Sequence, residues 1–167
     1  MEARVIRAFA LAALALACAV PAAAQQSAEV DRFIRQLYAP YAEEEPDWET
    51  LREAPMYSAA TGALIDEWIA GTSPDEVEDL ADFDWLCECQ DWDAAAFELT
   101  IAPHFEPSGD RTEVTARYHI GLGEYRQTRF VLVREKGEWL IEDQVSEAFP
   151  NGLKAALHEE IAARRAE

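Results

Sequence analysis

Residues 128–146 read TRFVLVREKGEWLIEDQVS. Two runs rich in β-branched and aromatic residues, TRFVLVRE and WLIEDQVS, stand either side of KGE at 136–138, and so short a glycine-bearing connection predicts a tight antiparallel hairpin. Period-two patterning continues upstream. Val114, Ala116, Tyr118 and Ile120 alternate with other residues, as do Phe97, Leu99 and Ile101, with turns at PSGD (107–110) and GLGE (121–124) between the runs. Four strands joined by short turns predict an antiparallel meander.

Helical spacing flanks the meander on both sides. Val30, Phe33, Ile34, Leu37 and Tyr41 mark one helix face opening near Ser27, with Pro40 in its last turn and the polar loop EEEPDWE following at 43–49. Tyr57, Ala60, Leu64, Ile65 and Trp68 mark a second face, with Ser58 as cap and Gly71 as stop. SPDEVEDL at 73–80 offers Ser73 as N-cap, Pro74 at the first helical position and Glu76 to complete a capping box, predicting a short third helix. After Pro150 and Asn151, Leu153, Ala156, Leu157 and Ile161 form the face of a last helix. The expected fold is α+β: N-terminal helices packed on a curved four-stranded antiparallel sheet, with an extra C-terminal helix.

Compartment is decided at the start of the chain. Glu2, Arg4 and Arg7 precede FALAALALACAVPAAA at 9–24, an apolar run too short to span a bilayer comfortably and closed by Pro21 and small residues. This pattern predicts a secretory signal peptide over residues 1–24, cleaved after Ala24, and a single mature domain over 25–167 that is periplasmic or secreted. The alternative is a lipoprotein signal anchored at Cys18, although Ala15 stands where such signals usually carry leucine. With no second long apolar run, no membrane span is expected. Cys18 leaves with the leader, so Cys87 and Cys89 remain as a pair in a compartment that oxidises thiols.

Charge is unevenly spread. The chain carries 33 acidic against 14 basic residues, a net of −19. Residues 27–93 hold 19 acids and three arginines, and residues 94–167 hold 13 acids and nine bases. No basic footprint exists for phosphates, so nucleic acid is excluded as a partner, and an anionic membrane surface is disfavoured for the same reason. The acidic first half suits a cation, a cationic ligand or a basic partner, or serves solubility as a solvated surface.

Helices followed by a long antiparallel sheet, with Gly137, Trp139, Ile141 and Asp143 on a late strand, resemble the nuclear transport factor 2-like cone, in which helices and a bent sheet enclose a pocket. FIRQLYAPY (33–41), MYSAATGALI (56–65), DFDWLCECQDWD (82–93) and REKGEWLIED (134–143) together are similar to exported bacterial proteins grouped as the domain-of-unknown-function 3828 family. That resemblance implies an envelope-facing domain and no particular reaction.

The densest chemistry lies in DFDWLCECQDWD. A Cys87–Cys89 bridge needs Cα atoms roughly 4.4–6.8 Å apart with converging Cβ atoms, which at this spacing requires a turn or a distorted strand. Buried free thiols and redox chemistry are the alternatives, the latter weakened because the usual redox spacing is C-x-x-C. For zinc the two thiolates would need His104 or a carboxylate; for calcium, Asp82, Asp84, Asp91 and Asp93 lack the glycine and distal glutamate of an EF-hand loop. The carboxylates are equally suited to capping helix ends and turns around Trp85 and Trp92. Ser58, Ser73, Ser108 and Ser146 sit in no G-x-S-x-G context, and His104, His119 and His158 are scattered. A pocket enzyme would use Asp143 with Tyr118, or Asp91 with His119, as general base and partner, in the manner of ketosteroid isomerase, a worked case of tuned carboxylates. Otherwise Asp143 anchors the end of the sheet.

These observations predict a non-catalytic ligand- or protein-binding accessory module of the cell envelope without a cofactor, its partner an unidentified small ligand or a basic envelope protein. Its contact surface is expected at Asp82, Asp84, Trp85, Gln90, Asp91, Trp92 and Asp93. A small isomerase- or hydrolase-type enzyme and a divalent-metal-binding protein are the alternatives. An open cavity of a few hundred cubic ångströms with an inward carboxylate would favour the enzyme; a cone plugged by Phe97, Phe130 and Trp139 would favour the binding module.

Overall fold

The computed structural model describes residues 22–46, 55–72, 79–103, 109–121, 123 and 125–166. The leader up to residue 21 with Cys18, most of the helix expected at 73–80, His104, Ser108 and parts of three loops lie outside the described residues. The fold is α+β. Its sheet comprises β1 (Phe97–Pro103), β2 (Arg111–Ile120), β3 (Arg126–Glu135) and β4 (Glu138–Val145), paired antiparallel in the order β1-β2-β3-β4.

The alternation of apolar residues sets which face is buried. Pairing of Leu99 with Tyr118, Val114 with Phe130, Leu132 with Ile141 and Arg134 with Trp139 puts these side chains on one face, because directly opposed residues share a face. A register shift between Val131 and Leu132 places an irregularity in the β3–β4 ladder, the kind of feature that bends a strand. The predicted hairpin is present. Lys136 and Gly137 both adopt positive φ, at 53° and 93°, as a two-residue turn matched to strand twist requires.

Helix α1 (Ala22–Tyr38) starts earlier than its apolar face suggested, so the expected cleavage point after Ala24 falls in its first turn. Pro40 ends it in a 3-10 turn over Ala39–Ala42. Val30, Ile34, Tyr38 and Tyr41 enter a core shared with Val114, Ala116, Tyr118, Ile120, Phe130, Leu132, Trp139 and Ile141. Tyr38 is fully buried, its ring centroid 5.0 Å from that of Tyr118, 6.2 Å from Phe97 and 6.3 Å from Phe130. Aromatic side chains fill this face of the sheet.

Helix α2 (Ala59–Gly71) is capped as expected, by Ser58 accepting from the Thr61 N–H. Its last residue is Gly71, and the extended Thr72 ends it. Tyr57 departs from expectation. It precedes the helix and pairs in parallel with Ile141, through Ser58 N–H to Ile141 O and Ile141 N–H to Met56 O, both at 2.9 Å, so residues 56–58 cover the outer edge of β4. The reason is local: Ser58 claims the cap position, which leaves Tyr57 outside the helix and free to extend. Helix α3 (Leu153–Arg164) buries Leu153, Leu157 and Ile161 in a second core with Leu64, Trp68, Leu80 and Phe149. No helix among the described residues is long and apolar enough to cross a membrane.

Candidate functional site

Residues 82–93 form a turn-rich loop between the two cores. Asp84 N–H donates to Cys89 O at 2.9 Å, closing the loop as an isolated antiparallel bridge. Inside it, Asp84 Oδ1 accepts from the N–H groups of Leu86 (2.8 Å) and Cys87 (3.2 Å), the local hydrogen bonding for which aspartate is favoured in turns. Glu88 takes a φ of 52°, a left-handed conformation uncommon for a residue with a Cβ. This reversal brings the Cα atoms of Cys87 and Cys89 to 5.1 Å, and their sulfurs form a disulfide. Thus the bridge is made by a turn, as its spacing demanded. Both cysteines are buried.

Four neighbouring elements pin the loop from outside. Tyr38 on α1 donates its hydroxyl to Leu86 O at 2.9 Å; Gln144 on β4, fully buried, donates Nε2 to Trp85 O at 2.8 Å. Arg126 at the start of β3 donates Nη1 to Cys87 O at 2.8 Å and also to Glu88 O. Trp85 donates its indole N–H to Leu80 O at 2.6 Å. Glu88 Oε1 is buried without a hydrogen-bond partner among the described residues.

The remaining loop carboxylates also hold backbone. Gln90 Nε2 bridges Asp82 O and Oδ2 at 2.8 and 2.9 Å; Asp91 Oδ1 accepts from Trp92 N–H at 2.9 Å; Asp93 Oδ1 accepts from Ala95 N–H at 3.0 Å, capping the 3-10 turn Ala94–Ala96 that leads into β1. Asp93 N–H also reaches Ile120 O at 2.8 Å, which seats the loop on the β2–β3 turn. Gly121 makes this approach possible: a Cβ there would lie 2.4 Å from Asp93 Cβ, and its φ is 82°.

The Asp84 charge bears on two phenols. Burial first, then the charge and hydrogen bond of Asp84, hold Tyr41 far above the usual tyrosine range. Tyr57 is raised by burial and then by the same charge. Burial also raises Tyr38, and pushes Tyr118 up to about 12, with the Glu88 charge adding to the effect and Arg126 opposing it.

Two surface concavities flank the loop. One, of about 400 Å³, is lined by Glu44, Asp91, Trp92, Asp93 and Ala94. The other, of about 450 Å³, is lined by Met56, Tyr57, Trp68, Leu80, Ala81, Phe83, Asp84, Trp85 and Leu86. Sequence spacing pointed to the loop, but not to Arg126, Gln144 or Tyr38. What sets Gln144 apart is its register: it pairs with Phe130 and so shares the buried face.

Neither of the two candidate acid–base pairs is joined by a hydrogen bond among the described contacts. Asp143 pairs with Val131, on the opposite face from Phe130 and Tyr118, and its Oδ1 accepts from Gln144 N–H (2.9 Å) and Lys154 N–H (3.1 Å), so it caps α3. Tyr118 hydroxyl meets Thr128 Oγ1 at 3.3 Å. His119 contacts Ala96 O, Gly121 N–H and Gly123 O and packs against Tyr125, whereas Asp91 is exposed; among the described contacts none joins the two. Ser58 donates to Glu142 Oε2 at 2.6 Å as part of its cap, and Ser146 Oγ accepts from Phe149 N–H. No group of three or more His, Cys, Asp or Glu among the described residues is arranged to hold a metal ion. What the arrangement offers chemically is a loop tied by a disulfide and by hydrogen bonds from several elements, with carboxylates and aromatic rings at its surface.

Comparison with known proteins gives no match to any family model, curated sequence or solved structure.

Proposed function

We propose that this chain is an exported, non-catalytic binding module of the cell envelope, built as a nuclear transport factor 2-like cone, and that it contacts its partner through the rim formed by residues 82–93. One observation carries this reading. The sheet face toward α1, where an enzyme of this architecture would keep its cavity, holds fully buried Tyr38, Tyr118 and Phe130 with Trp139 nearly so, while two surface concavities open beside the 82–93 loop. Helices preceding an antiparallel meander support the cone. The signal-like residues 1–24 and the stretches similar to the domain-of-unknown-function 3828 family support export.

The density of anchors on the loop favours a binding role, since a surface tied down before contact loses little entropy on binding. Its chemistry favours a cationic partner: Glu44, Asp91 and Asp93 line one concavity beside Trp92. The test places a photo-crosslinking amino acid at Asp91 and, as a control, at exposed His158 on α3, in cells exporting the protein. A discrete adduct at position 91 and none at 158 is expected, and the mature mass should begin at Gln25. Equal labelling at both positions overturns the rim as the contact surface.

A further inference from the structure

The groove of about 450 Å³ differs in chemistry from its acidic neighbour. Tyr57, Trp68, Phe83 and Trp85 reach it from three separate segments. Trp85 stands 5.6 Å from Trp68 with ring planes at 57°, and 6.4 Å from Tyr57 at 68°, so the rings are set as angled walls and not as a parallel stack. Tyr57, Phe83 and Trp85 are half-buried, leaving ring surface toward solvent.

Asp84, exposed at the groove, is the sole charged side chain among the described residues lining it. Asp84 lines the same groove as Tyr57, Trp68 and Trp85, so its charge stands beside the aromatic wall. Rings of this kind attract cations through their negative faces, and the Arg164 guanidinium already lies 5.6 Å over the Trp68 ring. An ammonium or guanidinium rich in N–H groups would need several acceptors, and this lining supplies few. A cation bearing methyl groups needs none: its methyls pack on rings while its charge is met by ring faces and one carboxylate.

We propose that this groove binds a quaternary ammonium group, with Tyr57, Trp68 and Trp85 as its walls and Asp84 as its counter-charge. The inference rests on the binding-module reading and gives the rim loop a ligand class. A trimethylammonium group is presented both by free solutes and by lipid headgroups, and these are separated by experiment.

The full exported protein is titrated with choline, with its neutral isostere 3,3-dimethylbutan-1-ol, and with phosphatidylcholine vesicles, following the trimethyl resonance of the ligand and vesicle co-sedimentation. Choline should bind saturably and roughly tenfold more tightly than the isostere. Binding to vesicles alone would assign the same chemistry to a headgroup. Asp84→Asn, which keeps the oxygen that accepts from Leu86 and Cys87, should weaken binding by about three- to tenfold; Trp85→Phe should retain most of it and Trp85→Leu should lose it. Equal affinity for choline and isostere, or no binding to either choline or vesicles, overturns the proposal. Crosslinking at Asp91 decides the rim reading separately, so the two can fail independently.

Discussion

Reduction of the Cys87–Cys89 bond tests what holds the rim in place. The bridge closes a ring spanning only three residues, since its partners are two apart in sequence. Loop-closure entropy for so small a ring is about 1.6 kcal/mol at 25 °C, taking the logarithmic dependence on loop length. In a domain of this size that corresponds to a fall in Tm of roughly 5 °C. The non-covalent anchors weigh more. Arg126 donates to both Cys87 O and Glu88 O. Replacing it with methionine leaves two carbonyls without that donor, a loss of about 3 kcal/mol for charge-assisted bonds in a partly buried site. Urea denaturation of the wild type, with and without a phosphine reductant, and of Arg126→Met measures both quantities. The reduced protein is expected to stay folded and to be more stable than the oxidised Arg126→Met variant. A reduced protein that unfolds in buffer, or a reductant effect above about 4 kcal/mol, refutes the reasoning, because three residues of ring cannot account for it.

Three further outcomes follow from the same geometry. Asp143→Ala, which removes the acceptor for Gln144 and Lys154 N–H, should cost about 1–2 kcal/mol in thermal denaturation, while Asp143→Asn should cost clearly less; equal losses would argue against a capping role. Lys136→Asn should raise stability by about 0.5–1 kcal/mol, because φ is 53° there and asparagine tolerates the left-handed region better than lysine; a lower Tm would contradict the turn assignment. Tyr38, Tyr41, Tyr57 and Tyr118 all have folded pKa values raised above those of the unfolded chain, so their contribution is complete below the ordinary tyrosine pKa and is lost as pH rises beyond it, through about 12 for Tyr118. Alkaline unfolding coincident with tyrosinate absorbance should be seen, and independent early titration of these four phenols would count against their burial.

The sheet was legible because its inward residues are apolar and its turns are marked by glycine. Val114, Ala116, Tyr118 and Ile120 were read as one face and are all buried. The helices were read nearly as well, with Leu64, Trp68, Leu153, Leu157 and Ile161 buried on the faces expected of them. Tyr57 was grouped with the helix face by apolar spacing although the Ser58 cap, read from the same stretch, places it just outside the helix. The loop at 82–93 was legible as a place and as a pair of cysteines. Its anchors were not, because Tyr38, Arg126 and Gln144 lie far along the chain and bind its backbone, which carries no side-chain signature. The groove was also hidden: Tyr57, Trp68 and Trp85 are separate in sequence and meet only once residues 56–58 dock on β4.

That docking has a consequence for the order of assembly. Residues 56–58 find their partner in Ile141, and the loop at 82–93 waits for Arg126 and Gln144. Tyr38 likewise packs among β-strand residues that come much later. An N-terminal fragment ending before residue 139 therefore lacks the partners to complete either core. In a chain made from its amino end, the first core would close only once β4 is present, and the second would wait further, for Phe149, Leu153, Leu157 and Ile161. Long-range closure of this kind slows folding, and it leaves the acidic first half extended and mutually repelling until the basic residues of the sheet arrive.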